Sequence, residues 1–143
     1  MSPCIFCRII SQDLSSARVG ENELAVAFLD IRPVNRGHTL VVPRRHVPSF
    51  ADIAGSEAAA VFRLIQDVAS ALKSELPECI GVTLSAADGE AAGQEVPHAH
   101  FHVIPRSSGD DFGWRRFGTL TNPEALDATA SLIRRSAILD GAR

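Results

Sequence analysis

Residues 98–104 read HAHFHVI, a strict alternation of histidine with apolar residues. A repeat of two belongs to an extended strand, whose alternate side chains share a face about 6.7 Å apart. The spacing therefore predicts a strand over 98–104, ended by Pro105. His98, His100 and His102 point one way, and Ala99, Phe101 and Val103 point the other way, into a core. Only five histidines occur in 143 residues, and three of them stand here. Three imidazoles on one face suit metal ligation, or catalysis with one ring as nucleophile and its neighbours as donors to an anion. A polar strand face with incidental histidines is the plain alternative.

The rest of the chain supplies a setting for that strand. ELAVAFLD (23–30) and GHTLVVP (37–43) read as two more strands, the second opened by Gly37 and stopped by Pro43. The turn-rich DIRPVNRG between them makes the pair a hairpin. From Glu57 to Leu76 the period changes to that of a helix, with Ala58, Val61, Phe62, Ile65, Val68, Ala69, Leu72 and Leu76 on one face, Ser56 as N-cap and Pro77 as stop. CIGVTLS (79–85) is a fourth strand candidate, and ADGEAAGQ (87–94) a glycine- and alanine-rich loop. Asn122 before Pro123 starts a C-terminal helix with Leu126, Ala130, Ile133 and Ala137 as its buried stripe. Strands without regular βαβ alternation point to an α+β domain with an antiparallel sheet. No repeat or linker divides the chain, so one domain over 1–143 is expected.

Composition narrows the partners. With 45% apolar and 22% charged residues the chain is an ordinary globular domain. A net charge of −3 argues against a nucleic-acid polymer as partner, while leaving room for a small anionic ligand. No apolar run approaches the length of a membrane span. MSPCIFCRIISQD lacks a secretory pattern, its apolar stretch being broken by Arg8. Three cysteines, two of them as Cys4-x-x-Cys7, favour a reduced, cytoplasmic chain with a metal or redox pair over a disulfide scaffold.

The loop GEAAGQ delivers Gly93 and Gln94 just before the histidine strand. Glycine lets a ligand approach the backbone, and N–H groups beside imidazoles make a cradle for phosphate. Here the residues carry a resemblance. HAHFHVIPR resembles the signature of the histidine triad (HIT) nucleotide-binding and hydrolase family. CIFCRIIS, AVAFLDIRPVNRGHTLVVPRRH (25–46), DGEAAGQ (88–94) and IPRSSGDDF (104–112) extend the likeness to its bacterial Hint-like branch, in the same order over about residues 3–115. It implies a five-stranded antiparallel sheet with one long central helix, followed here by a C-terminal helix over about 122–139, and a homodimer whose sheets join.

The resemblance also implies roles. His100 is the nucleophile that attacks the α-phosphate and forms a nucleotidyl-histidine, its other nitrogen held by a backbone carbonyl. His102 donates to a phosphate oxygen. Gln94 and the backbone of 94–96, with Gly93 and Glu95, complete the cradle. His38 is a fourth site histidine. Asp30 binds the ribose hydroxyls, with Phe28 and Ile31 flanking the base. Cys4, Cys7, His46 and His98 form an S2N2 set suited to one tetrahedral structural Zn²⁺ per subunit, with no open position and no organic cofactor. In that reading His98 uses one nitrogen on the metal and the other to orient the active site. A redox pair at Cys4 and Cys7 is the competing reading. Cys79 is expected to be buried.

Three positions depart from the pattern: Ala87 for a usual Asn, Glu95 for Ser or Thr, and Thr83 for Asn. Glu95 would repel a phosphate or pair with a cationic amine leaving group. The segment Trp114 to Phe117 is read as a cover for the leaving group, a subunit contact or a solvated turn. The implied function is hydrolysis of purine nucleoside phosphoramidates or related conjugates. The alternatives are a nucleotide-binding regulatory module with weak turnover, a dinucleoside polyphosphate hydrolase, and a zinc hydrolase using the triad itself as ligands.

Overall fold

A computed structural model describes residues 4–113 and 118–140. Two units are distinguished, divided at Asp111 and Phe112. The first holds a five-stranded antiparallel sheet: β1 (Arg18–Glu21), β2 (Ala25–Leu29), β3 (Thr39–Pro43), β4 (Gly81–Ser85) and β5 (Phe101–Arg106), in the order β1-β2-β3-β5-β4. It also holds a short helix α1 (Ile5–Ile10) and the long helix α2 (Gly55–Glu75).

Alternation along the central strands separates two apolar layers. Ala25, Ala27, Val41 and Val103 face α2 and pack with Val61, Leu64, Ile65, Val68 and Leu72. Val26, Phe28, Leu40 and Val42 face the other way and pack with Phe6 and Ile9 of α1. Both faces of β2 and β3 are thus covered, which is why these strands read as continuous apolar runs. Cys79 is buried in the α2 layer, as expected. Gly37 opens β3 with φ +94°, and a Cβ there would lie 2.6 Å from Leu76 Cδ1 and 2.9 Å from Leu72 Cδ2. Glycine is required on both counts.

Several boundaries differ from expectation. The strand expected over 98–104 is shorter at its start: residues 96–98 form a bend, with the His98 N–H on the Val96 carbonyl at 2.8 Å, and β5 starts at Phe101 and runs through Pro105. Pro105 is tolerated because the β3 ladder ends at Thr39 opposite Val103, so at Pro105 only β4 is paired. α2 begins two residues early, with Ala54 and not Ser56 as N-cap; Glu57 Oε2 reaches back to accept the Ala54 N–H at 3.1 Å. Its buried stripe takes in Leu64, whereas Phe62 is 53% exposed. β1 and α1 were not foreseen from periodicity: RVGE and IFCRII are too short to show one.

In the second unit, α3 (Pro123–Arg134) starts as expected, Asn122 Oδ1 accepting the Ala125 N–H at 2.8 Å. It stops at Arg134 and buries none of its residues: Leu126 and Ile133 are exposed and Ala130 is only half-buried. An amphipathic repeat specifies a face without supplying a surface to cover it. Trp114 to Phe117 lie outside the described residues, as does the side chain of Ala137.

Candidate active site and metal centre

The strand alternation that separates the two layers puts His100 and His102 on the α1 side of the sheet, opposite Val103. Each ring is then wired by backbone groups whose donor or acceptor character is unambiguous. His98, fully buried, places Nε2 2.8 Å from the Pro43 carbonyl. That nitrogen must carry the proton, so the Nδ1 lone pair is free, and it faces Cys4 Sγ and Cys7 Sγ, each at 3.6 Å. His100, 8% exposed, donates its Nδ1–H to the His98 carbonyl at 2.7 Å. Its Nε2 lone pair has no partner among the described residues.

A second chain of bonds fixes His102. The Val34 N–H can only donate, so at 3.1 Å it makes His38 Nδ1 an acceptor. His38 Nε2–H then donates to His102 Nδ1 at 2.9 Å, which leaves the remaining proton of His102 on Nε2. Asp30 Oδ2 lies 3.6 Å from His38 Nε2, while Oδ1 accepts the Arg32 N–H at 2.8 Å. Burial pushes His98 and His38 below the ordinary imidazole range. His102 falls to about 4, chiefly through burial and then through the neighbouring His100 and His38. These three rings are neutral at pH 7, so the fixed tautomers hold. The arrangement presents one lone pair (His100) beside one N–H (His102), their rings 5.1 Å apart.

The loop before the strand lines an open cleft of about 660 Å³ with Gly89, Glu90, Gly93, Gln94, Glu95 and Pro97. Gln94 is not a phosphate donor here. Its Oε1 accepts the Gly89 N–H at 2.8 Å, and its Nε2 donates to the carbonyls of Pro48 at 2.8 Å and Val96 at 3.0 Å. The amide is spent on holding the loop. The N–H groups of Gly93 and Gln94 are also turned inward, to Glu90 and Gly89 carbonyls. Those of Glu95 and Val96 have no partner among the described residues and remain available to an anion. Ile31 is 89% exposed, and Phe28 is plain core, stacked edge-on with Phe6, so it cannot flank a base. Thr83 Oγ1 accepts from Arg106 at 3.0 Å, and Ala87 is half-buried.

The four expected metal ligands do meet. One ligand atom each from Cys4, Cys7, His46 and His98 lie within 4.8 Å of one another, with Cys7 Sγ 3.4 Å from His46 Nδ1. A tetrahedral zinc has sulfur–nitrogen edges of about 3.5 Å, so these spacings fit it. The tautomer of His98 fits as well. Its second nitrogen, however, is held by Pro43 and does not orient the catalytic rings, as had been expected; the link to His100 runs through the His98 carbonyl instead. Burial and the adjacent Cys4 push the Cys7 thiol up, a conflict that a divalent cation would relieve.

Two contributors carried no sequence signal, the Pro43 carbonyl and the Val34 N–H, because backbone groups leave no residue-type mark.

Comparisons with known proteins identify the family. A HIT domain family model matches residues 11–109. The adenosine 5'-monophosphoramidase hnt1 of Schizosaccharomyces pombe is 34% identical over 128 residues, covering 87% of this chain and 91% of that protein. A solved HIT family structure from Bacillus subtilis aligns at a TM-score of 0.86 and 38% identity, over 94% of this chain and 96% of its own. A zinc-bound histidine triad family protein from Mycobacterium smegmatis aligns at 0.73 and 36% identity, over 98% and 97%. With a sheet of the same architecture and a family match across most of its length, the chain belongs to the HIT family.

Proposed function

We propose that this chain hydrolyses purine nucleoside phosphoramidates or related nucleotidyl conjugates at the α-phosphate through a covalent nucleotidyl-histidine. The observation that carries the reading is the state of His100: Nδ1–H tied to the His98 carbonyl, Nε2 unpartnered. Nε2 attacks phosphorus, and the P–N bond breaks as the leaving nitrogen takes a proton from solvent and departs as the amine. The His102 Nε2–H, kept on that nitrogen by His38, donates to a phosphoryl oxygen as charge develops. Water then displaces His100 from phosphorus and releases the nucleoside monophosphate. Asp30 takes the ribose hydroxyls, Ile31 offers apolar contact to the base, and the turn at Gly93 and Gln94 presents the two free N–H groups that follow it, those of Glu95 and Val96. Gln94 acts by shaping that turn. The adenosine monophosphoramidase among the relatives supports the reaction class.

The charge of the loop that runs into the histidine strand supports a choice of leaving group, although none of His38, His100 and His102 lines the cleft of that loop. The cleft carries Glu90 and Glu95 and no cation among its lining residues. A polyphosphate would meet two carboxylates, whereas a protonated amine would be attracted. This favours phosphoramidates over dinucleoside polyphosphates.

Cys4, Cys7, His46 and His98 hold a structural zinc; bound there, it has four protein ligands and fixes positions without activating water. The zinc-bound relative supports this assignment. The triad itself is a poor metal site, because its rings face three different partners: the sulfurs, an open lone pair and His38. Two copies of the chain join through β4, an edge strand whose Leu84, with the adjacent Ile80, is exposed. No helix among the described residues is long and apolar enough to cross a membrane. The free thiols of Cys4, Cys7 and Cys79 support a reducing, cytoplasmic setting.

Rapid quenching after mixing with adenosine 5'-phosphoramidate tests the reaction. Intact mass is expected to show one adenylate, mapped to His100 and absent in His100→Ala. Nucleotide binding with neither adduct nor product would instead make the chain a binding module.

A further inference from the structure

The geometry points to Asn35 as a positioning residue for the proton of His102: its side chain, bound to Pro105 and Asp110, clamps the turn between β2 and β3 so that the Val34 N–H stays on His38. This rests on the proposed role of His102 as donor to the phosphoryl group and adds to it an anchor that lies outside the histidines themselves.

The turn buries little of itself. Ile31, Arg32, Pro33, Val34 and Arg36 are all exposed, so hydrogen bonds and not apolar packing must hold it. The main-chain ladder between β3 and β5 ends at Thr39 opposite Val103. Beyond that point Asn35 takes over: its Nδ2 donates to the Pro105 carbonyl at 2.9 Å and to Asp110 Oδ2 at 2.9 Å. Asp110 is itself fixed to the end of β5. Its carboxylate, 6% exposed, accepts from Arg106 Nε at 2.7 Å, from Arg106 Nη2 at 2.6 Å and from the Ser107 N–H at 3.2 Å. The main chain of Asn35 closes the turn, its carbonyl accepting the His38 N–H at 3.0 Å. The turn's outer link, from Arg36 to Glu78, has its arginine 74% exposed and holds little.

Asn35 follows Val34 in the chain, so its clamp decides what the Val34 N–H meets. Held at 3.1 Å, that N–H makes His38 Nδ1 an acceptor, puts the His38 proton on Nε2 and leaves the His102 proton on Nε2. The tautomer of a neutral imidazole is set by the bond its other nitrogen makes. Without the Val34 N–H, His38 can carry its proton on Nδ1 and accept at Nε2. His102 must then donate from Nδ1, and its own Nε2 meets the phosphoryl group as a lone pair. One hydrogen bond in an exposed turn thus decides whether His102 assists or opposes the developing charge. β5 carries both ends of the device, His102 at one and Pro105 with Arg106 at the other, so sliding of the turn along the strand is opposed at two points.

The test is Asn35→Ala, which removes the donor, beside Asn35→Asp, which keeps the shape and sets a carboxylate against Asp110. Arg36→Ala, in the same turn and paired with Glu78, is the control. Long-range ¹H–¹⁵N spectra, recorded without substrate, report which ring nitrogens of His38 and His102 are protonated. Steady-state and single-turnover rates with adenosine 5'-phosphoramidate report catalysis, and thermal unfolding reports the fold. Wild type and Arg36→Ala are expected to show both rings protonated on Nε2 alone. Both Asn35 variants are expected to show the Nδ1-protonated form of His38 as well, and to lower kcat about three- to tenfold. In a His38→Ala background the further loss from Asn35→Ala is expected to vanish, because two changes on one path do not add. The role is overturned if both Asn35 variants keep the wild-type tautomers, if KM rises with kcat unchanged, if Arg36→Ala loses as much rate, or if the losses multiply in the double variant. Absence of an adenylate in wild type would sink the proposed function instead and leave the tautomer comparison standing.

Discussion

Two clusters in this molecule look alike by composition and differ in what they can do. Cys4, Cys7, His46 and His98 bring four ligand atoms within 4.8 Å of one another, and Asp30, His38 and His102 bring three within the same span. In the first, the far nitrogen of His98 donates to a carbonyl, so the near one offers a lone pair. In the second, the far nitrogen of His38 accepts from the Val34 N–H, so the near one carries a proton. A metal between His38 and His102 would need that proton removed and moved to Nδ1, where it would face the Val34 N–H at 3.1 Å. Proximity of ligand atoms is common to both clusters; a backbone donor or acceptor on the remote side of the ring decides which one is a metal site and which a hydrogen-bonded relay.

Breaking the first cluster has the largest expected effect. Replacing Cys4 and Cys7 together by Ser removes zinc from a stoichiometric level to none, measured by elemental analysis. It also lowers the unfolding free energy by about 3 kcal/mol or more at zinc in hundredfold excess over its dissociation constant. His38→Ala breaks the second cluster. It frees His102 to take the other tautomer, and kcat is expected to fall about ten- to a hundredfold, or about 1.4–2.7 kcal/mol in the barrier. Zinc stays at one per chain. A fall from two metal ions to one in that variant would show that the relay is a second metal site and that the tautomer argument fails.

The sharpening of the comparison by leaving group is smaller. Glu95→Ser removes one of two carboxylates from the cleft lining. It is expected to raise kcat/KM for a diadenosine polyphosphate severalfold relative to an adenosine phosphoramidate bearing a cationic amine, by about 1 kcal/mol at most because Glu95 is exposed. An unchanged ratio would remove the charge argument for amine leaving groups.

How much of this was legible beforehand depends on the kind of signal. The period of two around His98, His100 and His102 correctly placed Val103 in the core and two catalytic candidates on one face. The apolar runs gave β2 and β3, and their common turn gave the hairpin. What stayed hidden was carried by main-chain groups or by short elements. α1 and β1 are too brief for a periodicity. The tautomers of His98, His100 and His38 are set by Pro43, His98 and Val34 through atoms every residue possesses. Gln94 was read as a ligand donor because of its position, yet the loop consumes its amide. Residue type announces capacity, and only packing shows whether that capacity is already used.

Acid titration separates the clusters last and most gently. His102 is pushed from 6.5 down to about 4, mainly by burial. Above about pH 6.5 the ring is neutral in both folded and unfolded chains and contributes nothing. Between about 6.5 and 4 the unfolded chain takes up a proton that the folded one refuses, so stability falls as pH falls; below about 4 both are protonated and the dependence from this group ends. The slope cannot exceed roughly 1.4 kcal/mol per pH unit, the limit for one proton taken up by the unfolded chain and refused by the folded one, and the partial exposure of the ring narrows the interval over which it acts. Denaturant unfolding of wild type and His102→Asn, followed from pH 7 to 4, isolates the effect: the variant is expected to lose stability less steeply over that interval. The zinc cluster also weakens in acid, since its thiolates and imidazoles must be deprotonated to bind. That contribution vanishes in chains already lacking Cys4 and Cys7, whereas the His102 contribution persists in them. Parallel curves for wild type and His102→Asn would mean that His102 is not held neutral by its surroundings, and the proton placed on its Nε2 would lose its support.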